Sequence, residues 1–292
     1  MLSMVNQLAH RAGEIRLANG HILDTRRTLV MGVINVTPDS FSDGGQYLDA
    51  DEAVAHAHRM ISDGADIIDI GGESSRPGSD PVDEKTELDR VIPIIREIRD
   101  FSDTPISIDT TKAEVARQAV LAGADIINDI SALRFDREMV EVVAENRAPV
   151  VLMHMLGIPK TMQVDPSYAD CISEVMQFFS ERLHHCLNYG ITKERIILDP
   201  GIGFGKRLQD NLTIISRLKE FKTFECPIML GTSRKSFIGM ISGEKDHPES
   251  RIGGSLASAL IAIMNGANII RVHDVAETIE AIKIHRALKE IG

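Results

Sequence analysis

Three similar stretches decide the fold of this 292-residue chain: GADIIDI (64–70), GADIIND (123–129) and GANIIRV (266–272). Each begins with a glycine, the residue that most often ends a helix in the left-handed conformation. The two isoleucines that follow predict a short buried strand. Five residues after the glycine, each copy has a polar residue: Asp69, Asn128 and Arg271. The stretches therefore predict a repeated unit of helix end, buried strand and polar strand end.

Five other apolar runs have the same polar or glycine ending. The runs VMGVIN, PISID, PVVLMH, RIILD and PIML end at or near Asn35, Asp109, His154, Asp199 and Gly231. Helical patterns separate the eight strands, at 49–63, 84–100, 112–122, 136–146, 168–189, 209–220, 249–265 and 275–290. A further helix starts in SRKSFIGMI, so one helix is extra before strand eight.

This alternation of strands and helices predicts an α/β protein with a single (β/α)₈ barrel. The barrel spans residues 28–290, within one domain of residues 1–292. A doubly wound open sheet is the alternative. Before the barrel, IRLANGHILDT predicts a short hairpin that turns at Asn19–Gly20.

Composition and charge exclude several classes of protein. The formal charge of −11 lacks the basic footprint of a nucleic-acid-binding protein. No apolar stretch has the roughly 18 residues of a membrane span, and the first 27 residues contain no secretory signal pattern. Three scattered cysteines without a CxxC pair are typical of a reduced protein. We therefore expect a cytoplasmic protein that binds neither nucleic acid nor membranes.

The stretch LDPGIGFGK (198–206) resembles a nucleotide-binding loop but fits neither nucleotide signature. A phosphate-binding loop needs glycine where Pro200 stands, and serine or threonine where Arg207 stands. A dinucleotide fingerprint starting at Gly201 needs glycine where Lys206 stands. We therefore interpret this stretch as a tight connection between a strand and a helix, with Asp199 as its chemical residue.

The polar strand ends suggest a ligand, because the chemistry of such barrels lies at the C-terminal ends of the strands. Any single polar end could be structural, and Asp109 could cap a helix. As a set, two carboxylates, an amide and an amine suit a flat heterocycle with donors on one edge and acceptors on another. The residues of this set, with two that could pack on the ring, are Asp109, Asp199, Asn128, Lys235, Met153 and Phe204.

A second group of residues suits a diphosphate. Arg76, Arg271 and His273 form a cationic group in an acidic protein, with surface ion pairs as the alternative interpretation. Asn35 adds a hard oxygen ligand for Mg²⁺, which prefers a few protein oxygens together with substrate phosphates.

At these residues the chain resembles the dihydropteroate synthase family of folate biosynthesis. The matching stretches are MGVINVTPDSFSDGG (31–45), DIIDIGGESSRPG (66–78), ISIDTTK (106–112), INDISAL (127–133), VLMHMLGIPKTMQ (151–163), ILDPGIGFGK (197–206), GTSRKSFIG (231–239) and IIRVHDVAE (269–277). The resemblance implies a transferase that condenses 6-hydroxymethyl-7,8-dihydropterin diphosphate with 4-aminobenzoate. It also implies Mg²⁺ as cofactor and a homodimer.

The resemblance implies a role for each matching residue. The catalytic residues would be Lys235, Arg271, His273 and Asp109. The pterin would be held by Asp109, Asn128, Asp199, Lys235, Met153 and Phe204. The diphosphate would be held by Asn35, Arg271 and His273, with Asn35 also binding the metal. The 4-aminobenzoate site, where sulfonamides compete, would be formed by Phe41, Ser75, Arg76, Pro77 and Ser236.

One residue departs from the family pattern, since Ser75 stands where the family usually has threonine. Two other functions remain as alternatives: a pterin-binding methyltransferase barrel, which would share Asp109, Asn128 and Asp199, and a pterin-binding module without catalysis. The methyltransferase barrel would not need the diphosphate-binding residues Arg271 and His273 or the loops of Phe41 and Arg76. No key position carries a residue incompatible with catalysis, which argues against the non-catalytic module.

Overall fold

The fold is built around a closed barrel of parallel strands. The computed structural model describes residues 13–36, 46–76, 78–243 and 247–291. An antiparallel hairpin of β1 (Glu14–Arg16) and β2 (Ile22–Asp24) comes first. The barrel strands are β3 (Leu29–Asn35), β4 (Ile67–Gly71), β5 (Ile106–Asp109), β6 (Ile126–Asp129), β7 (Val150–Met153), β8 (Ile196–Asp199), β9 (Met229–Leu230) and β10 (Ile269–Val272).

Strand pairing closes the barrel. From β3 to β8, each strand pairs in parallel with the next, and β10 pairs in parallel with both β3 and β9. A parallel bridge between Leu198 and Ile228 joins β8 to β9, and the Leu198 N–H donates to the Pro227 carbonyl at 2.9 Å. The predicted (β/α)₈ barrel is therefore confirmed, and the open-sheet alternative is excluded.

Helices cover the outside of the barrel. They are α1 (Gln46–Ser62), α2 (Glu84–Phe101), α3 (Ala113–Ala122), α4 (Met139–Asn146), α5 (Cys171–Asn188), α6 (Leu208–Ser216), α7 (Ser236–Ser242), α8 (Ile252–Met264) and α9 (Val275–Ile291). Helix α7 confirms the predicted extra helix. The pattern at 209–220 includes a change of helix type, since α6 ends and a 3₁₀ helix (Leu218–Phe224) follows. In the described part of the chain, no helix has the length and apolar character of a membrane span.

The predicted hairpin closes the N-terminal end of the barrel. Its turn at Asn19–Gly20 is confirmed, and Gly20 has a φ of +88°, a conformation that glycine adopts without strain. Three buried hairpin residues, Ile15, Leu17 and Leu23, pack into one cluster with inward-facing residues of the barrel strands. The bottom of the barrel is therefore apolar and closed to water.

Side chains inside the barrel form two layers, because alternate residues of a strand point to the same side. The lower layer is the apolar cluster under the hairpin, with Ile67, Ile126, Val151, Ile197, Met229 and Ile269. Two residues further along the same strands lie Asp69, Asn128, Met153, Asp199, Gly231 and Arg271. Strand periodicity thus places the polar residues together on an apolar floor.

The third residue of each repeated stretch fixes the strands at the lower end. In all three stretches its side-chain oxygen accepts a backbone N–H of a neighbouring strand segment. The bonds join Asp66 to Val30 (2.9 Å), Asp125 to Ile106 (2.9 Å) and Asn268 to Ile228 (3.0 Å). These bonds satisfy buried N–H groups at strand starts, so the similarity of the stretches extends to a structural role that the sequence analysis did not predict.

Candidate active site

A pocket opens at the C-terminal ends of the strands. It contains about 350 Å³ of space without atoms, part of which is open solvent. Its lining contains all six residues predicted for the heterocycle: Asp109, Asn128, Asp199, Lys235, Met153 and Phe204. Ser75 and Arg271 also line it. Residues from separate strands and loops thus meet in one pocket.

Arg271 is held between two carboxylates at the base of this pocket. Its Nε lies 2.6 Å from Asp69 Oδ2, and its Nη2 lies 2.8 Å from Asp109 Oδ2. Asp69 is completely buried, and its Oδ2 also accepts from Asn128 Nδ2 at 3.1 Å. Burial disfavours the charged form of Arg271 and lowers its pKa. The charges of Asp69 and Asp109 together have a larger effect, so the pKa of Arg271 is raised overall. The guanidinium is therefore a permanent charge with a fixed orientation.

The charged form of Asp109, unlike that of Arg271, is disfavoured in this pocket. Burial raises the pKa of its carboxyl group, the cation of Arg271 works against that rise, and the nearby Asp69 adds to it. A ligand that donates N–H groups to Asp109 would stabilise the carboxylate, because hydrogen bonds to the charged form favour it.

The opposite wall of the pocket combines Asp199, Lys235 and Phe204. Asp199 Oδ1 accepts the Gly201 N–H at 2.8 Å, and burial raises the pKa of this carboxyl group. Lys235 Nζ lies 4.3 Å above the centre of the Phe204 ring. Burial, reinforced by the charge of Arg271, lowers the pKa of Lys235 to about 8. Lys235 can therefore donate hydrogen bonds to a ligand carbonyl or ring nitrogen as a weakly hydrated ammonium.

The glycines of the 198–206 stretch are required by close backbone approach. Gly201 has a φ of +72°, and a Cβ there would lie 2.1 Å from the His154 carbonyl oxygen. Gly205 has a φ of +62°, and its Cβ would lie 2.5 Å from the Leu156 carbonyl oxygen. These glycines let the loop lie directly on residues 154–156 and place Phe204 in the pocket, as expected for a tight connection.

Lys206 fastens this loop from below. It is 3% exposed, and its Nζ lies 2.9 Å from His154 Nδ1 and 3.3 and 3.2 Å from the carbonyl oxygens of His154 and Phe204. Burial lowers the pKa of His154 to about 2, so the imidazole is neutral and can accept. Lys206 is thus an internal brace and does not face a phosphate.

Comparison with known proteins identifies the family. The model of the pterin binding enzyme family matches residues 31–273. The dihydropteroate synthase of Synechocystis sp. is 50% identical over 263 residues, covering 90% of this chain and 91% of that protein. That of Escherichia coli K12 is 50% identical over 270 residues, covering 92% and 95%. The chain belongs to the dihydropteroate synthase family.

Solved structures of dihydropteroate synthases share this fold. The Yersinia pestis enzyme, in complex with a sulfonamide drug, has a TM-score of 0.89 and 46% identity, covering 96% of this chain and all of that one. The Xanthomonas albilineans enzyme, in complex with 7,8-dihydropteroate, has a TM-score of 0.85 and 43% identity, covering 94% and 98%. The activity is that of a dihydropteroate synthase, a transferase of folate biosynthesis, and this decides against both alternatives.

The remaining residues assigned by resemblance to dihydropteroate synthases are not among those that line this pocket in the described part of the chain. Asn35 ends β3 and is partly buried, Arg76 is exposed on the loop after β4, and Ser236 is exposed at the start of α7. His273 follows β10, and its Nδ1 lies 3.0 Å from Ser233 Oγ. Phe41 and Pro77 lie outside the described residues.

The sequence analysis had grouped Arg271 with His273 and Arg76 as a cationic diphosphate site. The structure places the Arg271 guanidinium among the carboxylates of the barrel mouth, in the same pocket as the residues assigned to the pterin. Its contact with diphosphate stays a prediction, and its contacts with Asp69 and Asp109 are an additional role that the sequence did not suggest.

Two features of the site were missed by the sequence analysis. Asp69 was recognised only as a strand end, although it occupies the same position in its repeated stretch as Asn128 and Arg271. That shared position was the available signal. The predicted set of apolar residues was also incomplete, because Met155 and Met162 are buried in one cluster with Met153 and Phe204. Nothing in their local sequence pattern indicates this contact.

The buried lysine generates a prediction about pH and stability. Burial lowers the pKa of Lys206 from 10.5 to about 7, so between these pH values the unfolded chain binds the extra proton. The free energy of unfolding contributed by this site therefore rises with pH across that window. We expect wild type to gain stability relative to Lys206→Met between pH 7 and 10, by more than about 1.4 kcal/mol, the equivalent of one pKa unit.

Urea unfolding at several pH values measures this difference. Lys219→Met, at an exposed lysine, is the control and should run parallel to wild type. Parallel curves for wild type and Lys206→Met would show that Lys206 does not release its proton on folding.

Proposed function

We propose that this chain condenses 6-hydroxymethyl-7,8-dihydropterin diphosphate with 4-aminobenzoate at the barrel mouth, giving 7,8-dihydropteroate and diphosphate. The observation that carries this proposal is the meeting of four polar residues with complementary donors and acceptors and two apolar residues in one pocket above an apolar floor. Solved structures of the Xanthomonas albilineans enzyme contain 4-aminobenzoic acid or 7,8-dihydropteroate, the acceptor substrate and the product of this reaction.

In this proposal the pterin ring lies between Asp109 on one wall of the pocket and Asp199 and Lys235 on the other. Asp199 is the principal acceptor, because its Oδ1 takes only a backbone N–H, and no hydrogen bond among the described residues uses its Oδ2. Asp109 already binds Arg271 and can accept a second donor from the ring. Lys235 and the Asn128 amide supply contacts to the ring carbonyl and nitrogens, while Met153 packs on its face.

The reaction needs a stabilised leaving group and a nearby nucleophile. We infer a dissociative course, in which the diphosphate leaves with the electrons of the C–O bond. The dihydropterin ring delocalises the positive charge of the remaining methylene, and the aniline nitrogen then attacks that carbon and loses a proton. Arg271 stabilises the charge that develops on the diphosphate. Its fixed orientation between two carboxylates means that little reorganisation is required.

His273 contributes to diphosphate binding as a neutral donor. Burial, together with the charges of Arg271 and Arg234, lowers the pKa of His273 to about 3. In the tautomer in which Ser233 Oγ donates to Nδ1, the Nε2 carries the proton and can donate it to a diphosphate oxygen. This role therefore depends on hydrogen bonding and not on charge.

The 4-aminobenzoate binds beside the pterin, against the loop that follows β4. Ser75 lines the pocket, and Arg76 follows it on the exposed part of the loop, where it can bind the benzoate carboxylate. Ser236 follows Lys235 directly at the start of α7. Phe41 and Pro77 complete the set assigned from the family resemblance.

Substitution of Asp199 tests the assignment of the pocket. We expect wild type to form dihydropteroate from both substrates and Mg²⁺, and Asp199→Asn to bind the pterin diphosphate on the order of 100-fold more weakly. The reason is the loss of charge-assisted hydrogen bonds worth about 1.5–3 kcal/mol each. Calorimetry measures the binding, and product formation measures the activity.

Asp89→Asn, an exposed position on α2, serves as the matched control and should bind like wild type. Unchanged pterin binding in Asp199→Asn would place the ring elsewhere.

The cofactor of the reaction is Mg²⁺ in this proposal. Among the described residues, no group of three or more His, Cys, Asp or Glu side chains could hold a metal ion. We therefore propose that Mg²⁺ is bound mainly by the substrate diphosphate, with the Asn35 amide oxygen as a protein ligand. When bound, the ion would neutralise part of the diphosphate charge.

Asn35 variants test this mode of metal binding. We expect Asn35→Ala to need about tenfold more Mg²⁺ for half-maximal turnover, since one oxygen ligand, worth about 1.4 kcal/mol, is lost. Asn35→Asp keeps an oxygen and should need no more Mg²⁺ than wild type. Chelation should leave the melting temperature of the free protein unchanged, because the metal arrives with the substrate. Identical Mg²⁺ dependence of wild type and Asn35→Ala would contradict the assignment.

We also propose a homodimer formed through α8 and its neighbour α9. Helix α8 has buried and exposed apolar residues. Ala259 and Ala262 are buried, whereas Ile261 and Met264 are 44% and 62% exposed. Ile284 and Leu288 of α9, which packs against α8, are also exposed.

Light scattering after gel filtration tests the dimer. We expect twice the chain mass for wild type, and the mass of one chain for the double variant Ile261→Asp and Met264→Lys, because charges at the centre of an apolar interface lack partners. The control is Leu121→Asp on α3, also exposed but away from the interface, which should stay dimeric. A dimeric double variant would exclude this face.

We also propose a cytoplasmic location and a single domain. All three cysteines are free, which supports a reducing compartment and hence the cytoplasm. The hairpin shares a buried cluster with the barrel strands, which supports one domain for the whole chain.

A further inference from the structure

A cluster of three charged residues lies beneath the loop that follows β4. Lys112 Nζ contacts Glu73 Oε2 and lies 2.5 Å from Glu87 Oε2. Glu73 starts the loop, Glu87 lies in the first turn of α2, and Lys112 precedes α3. Glu87 is completely buried, while Lys112 and Glu73 have side chains 23% and 25% exposed. The cluster therefore joins the start of the loop to two helices, and its side chains are largely buried.

Glu73 also closes the loop at its base. Its Oε2 accepts the Val82 N–H at 3.3 Å, which brings together residues nine positions apart. Above this point, Ser79 Oγ donates to the carbonyl oxygens of Ser74 and Arg76 at 2.5 and 2.8 Å. The described residues of the segment 74–81 are thus joined by internal hydrogen bonds, and Glu73 anchors them to the barrel.

The residue before Glu73 cannot move independently of α2. A Cβ at Gly72 would lie 2.9 Å from both Glu87 Cγ and Val91 Cγ1, and Arg90 Nη1 donates to the Gly72 carbonyl at 2.7 Å. The chain is consequently fixed on α2 up to Gly72. The direction of the loop beyond it depends on where Lys112 holds the Glu73 carboxylate.

The cluster borders the active site directly. A smaller cavity beneath the loop is lined by Glu73, Glu87, Ser75 and Asp109, and the last two also line the main pocket. Lys112 follows Asp109 by three residues, so one short connection carries both a pterin ligand and the loop anchor. Glu73 precedes Ser75 by two residues on the loop, so a change at Glu73 reaches Ser75 along the chain, whereas Asp109 is held in β5.

We propose that the Lys112–Glu73 ion pair is a positioning device that sets the loop of Ser75 and Arg76 for 4-aminobenzoate, and does not act on the pterin. This inference rests on the proposed function, which assigns that loop to 4-aminobenzoate. A second ion pair on the same loop, Lys160 with Asp80, provides the comparison. Its side chains are 61% and 81% exposed, so water screens the pair and it contributes little.

Glu73→Gln is the test variant, because it weakens the anchor while Lys112 stays paired with the buried Glu87. Removal of Lys112 would instead leave Glu87 as an uncompensated buried charge and endanger folding. We expect the KM for 4-aminobenzoate to rise about tenfold in Glu73→Gln, the equivalent of about 1.4 kcal/mol. The Kd for the pterin diphosphate should stay within about twofold of wild type. Hydrogen exchange at the amides of residues 74–82 should become faster.

Two further variants separate positioning from general stability. Lys112→Arg keeps a cation for both carboxylates and should retain a KM close to that of wild type. Asp80→Asn removes the exposed pair of the same loop and should change neither the KM nor the exchange rates. A proportional rise in both substrate constants, an unchanged KM for 4-aminobenzoate, or unchanged exchange in Glu73→Gln would overturn the proposal. Failure of wild type itself to form dihydropteroate would instead concern the proposed function.

Discussion

The Arg271 guanidinium, held between Asp69 and Asp109 above an apolar floor, is the interaction on which the site depends. Charges buried over such a floor are stable only when they are paired. The carboxylates come from β4 and β5, whereas the arginine comes from β10, 202 and 162 residues away in sequence. They meet only because β10 pairs with β3 and closes the barrel. Assembly of the site therefore requires closure of the barrel.

Much of this arrangement follows from local pattern. A strand alternates its side chains, so an apolar residue that faces the barrel axis is followed two positions later by another inward residue. Ile67 and Asp69, Ile126 and Asn128, and Ile197 and Asp199 illustrate the pattern. The sequence thus predicted the eight strands and the meeting of their polar ends. The residues assigned to the heterocycle share a pocket because strand ends in a parallel barrel share an edge.

The sequence could not predict which charges pair with which. Arg271 was grouped with His273, its near neighbour in sequence, yet its partners lie on strands distant in the chain. Lys206 served only as evidence against a nucleotide loop, and the structure shows it as a buried brace bonded to His154. Both outcomes depend on burial and on contacts between separate loops, and neither leaves a periodic pattern in the sequence.

The charged groups at the mouth of the barrel bear on the proposed role of Mg²⁺ at the diphosphate. Asp69, Asp109 and Asp199 face the cations of Arg271 and Lys235, so the inner layer holds more carboxylates than cations. His273 adds no charge, because burial lowers its pKa to about 3. Under the proposed function, a diphosphate near this layer would lie beside carboxyl groups that already share these two cations. A substrate that brings Mg²⁺ would therefore carry its own counter-charge to the site.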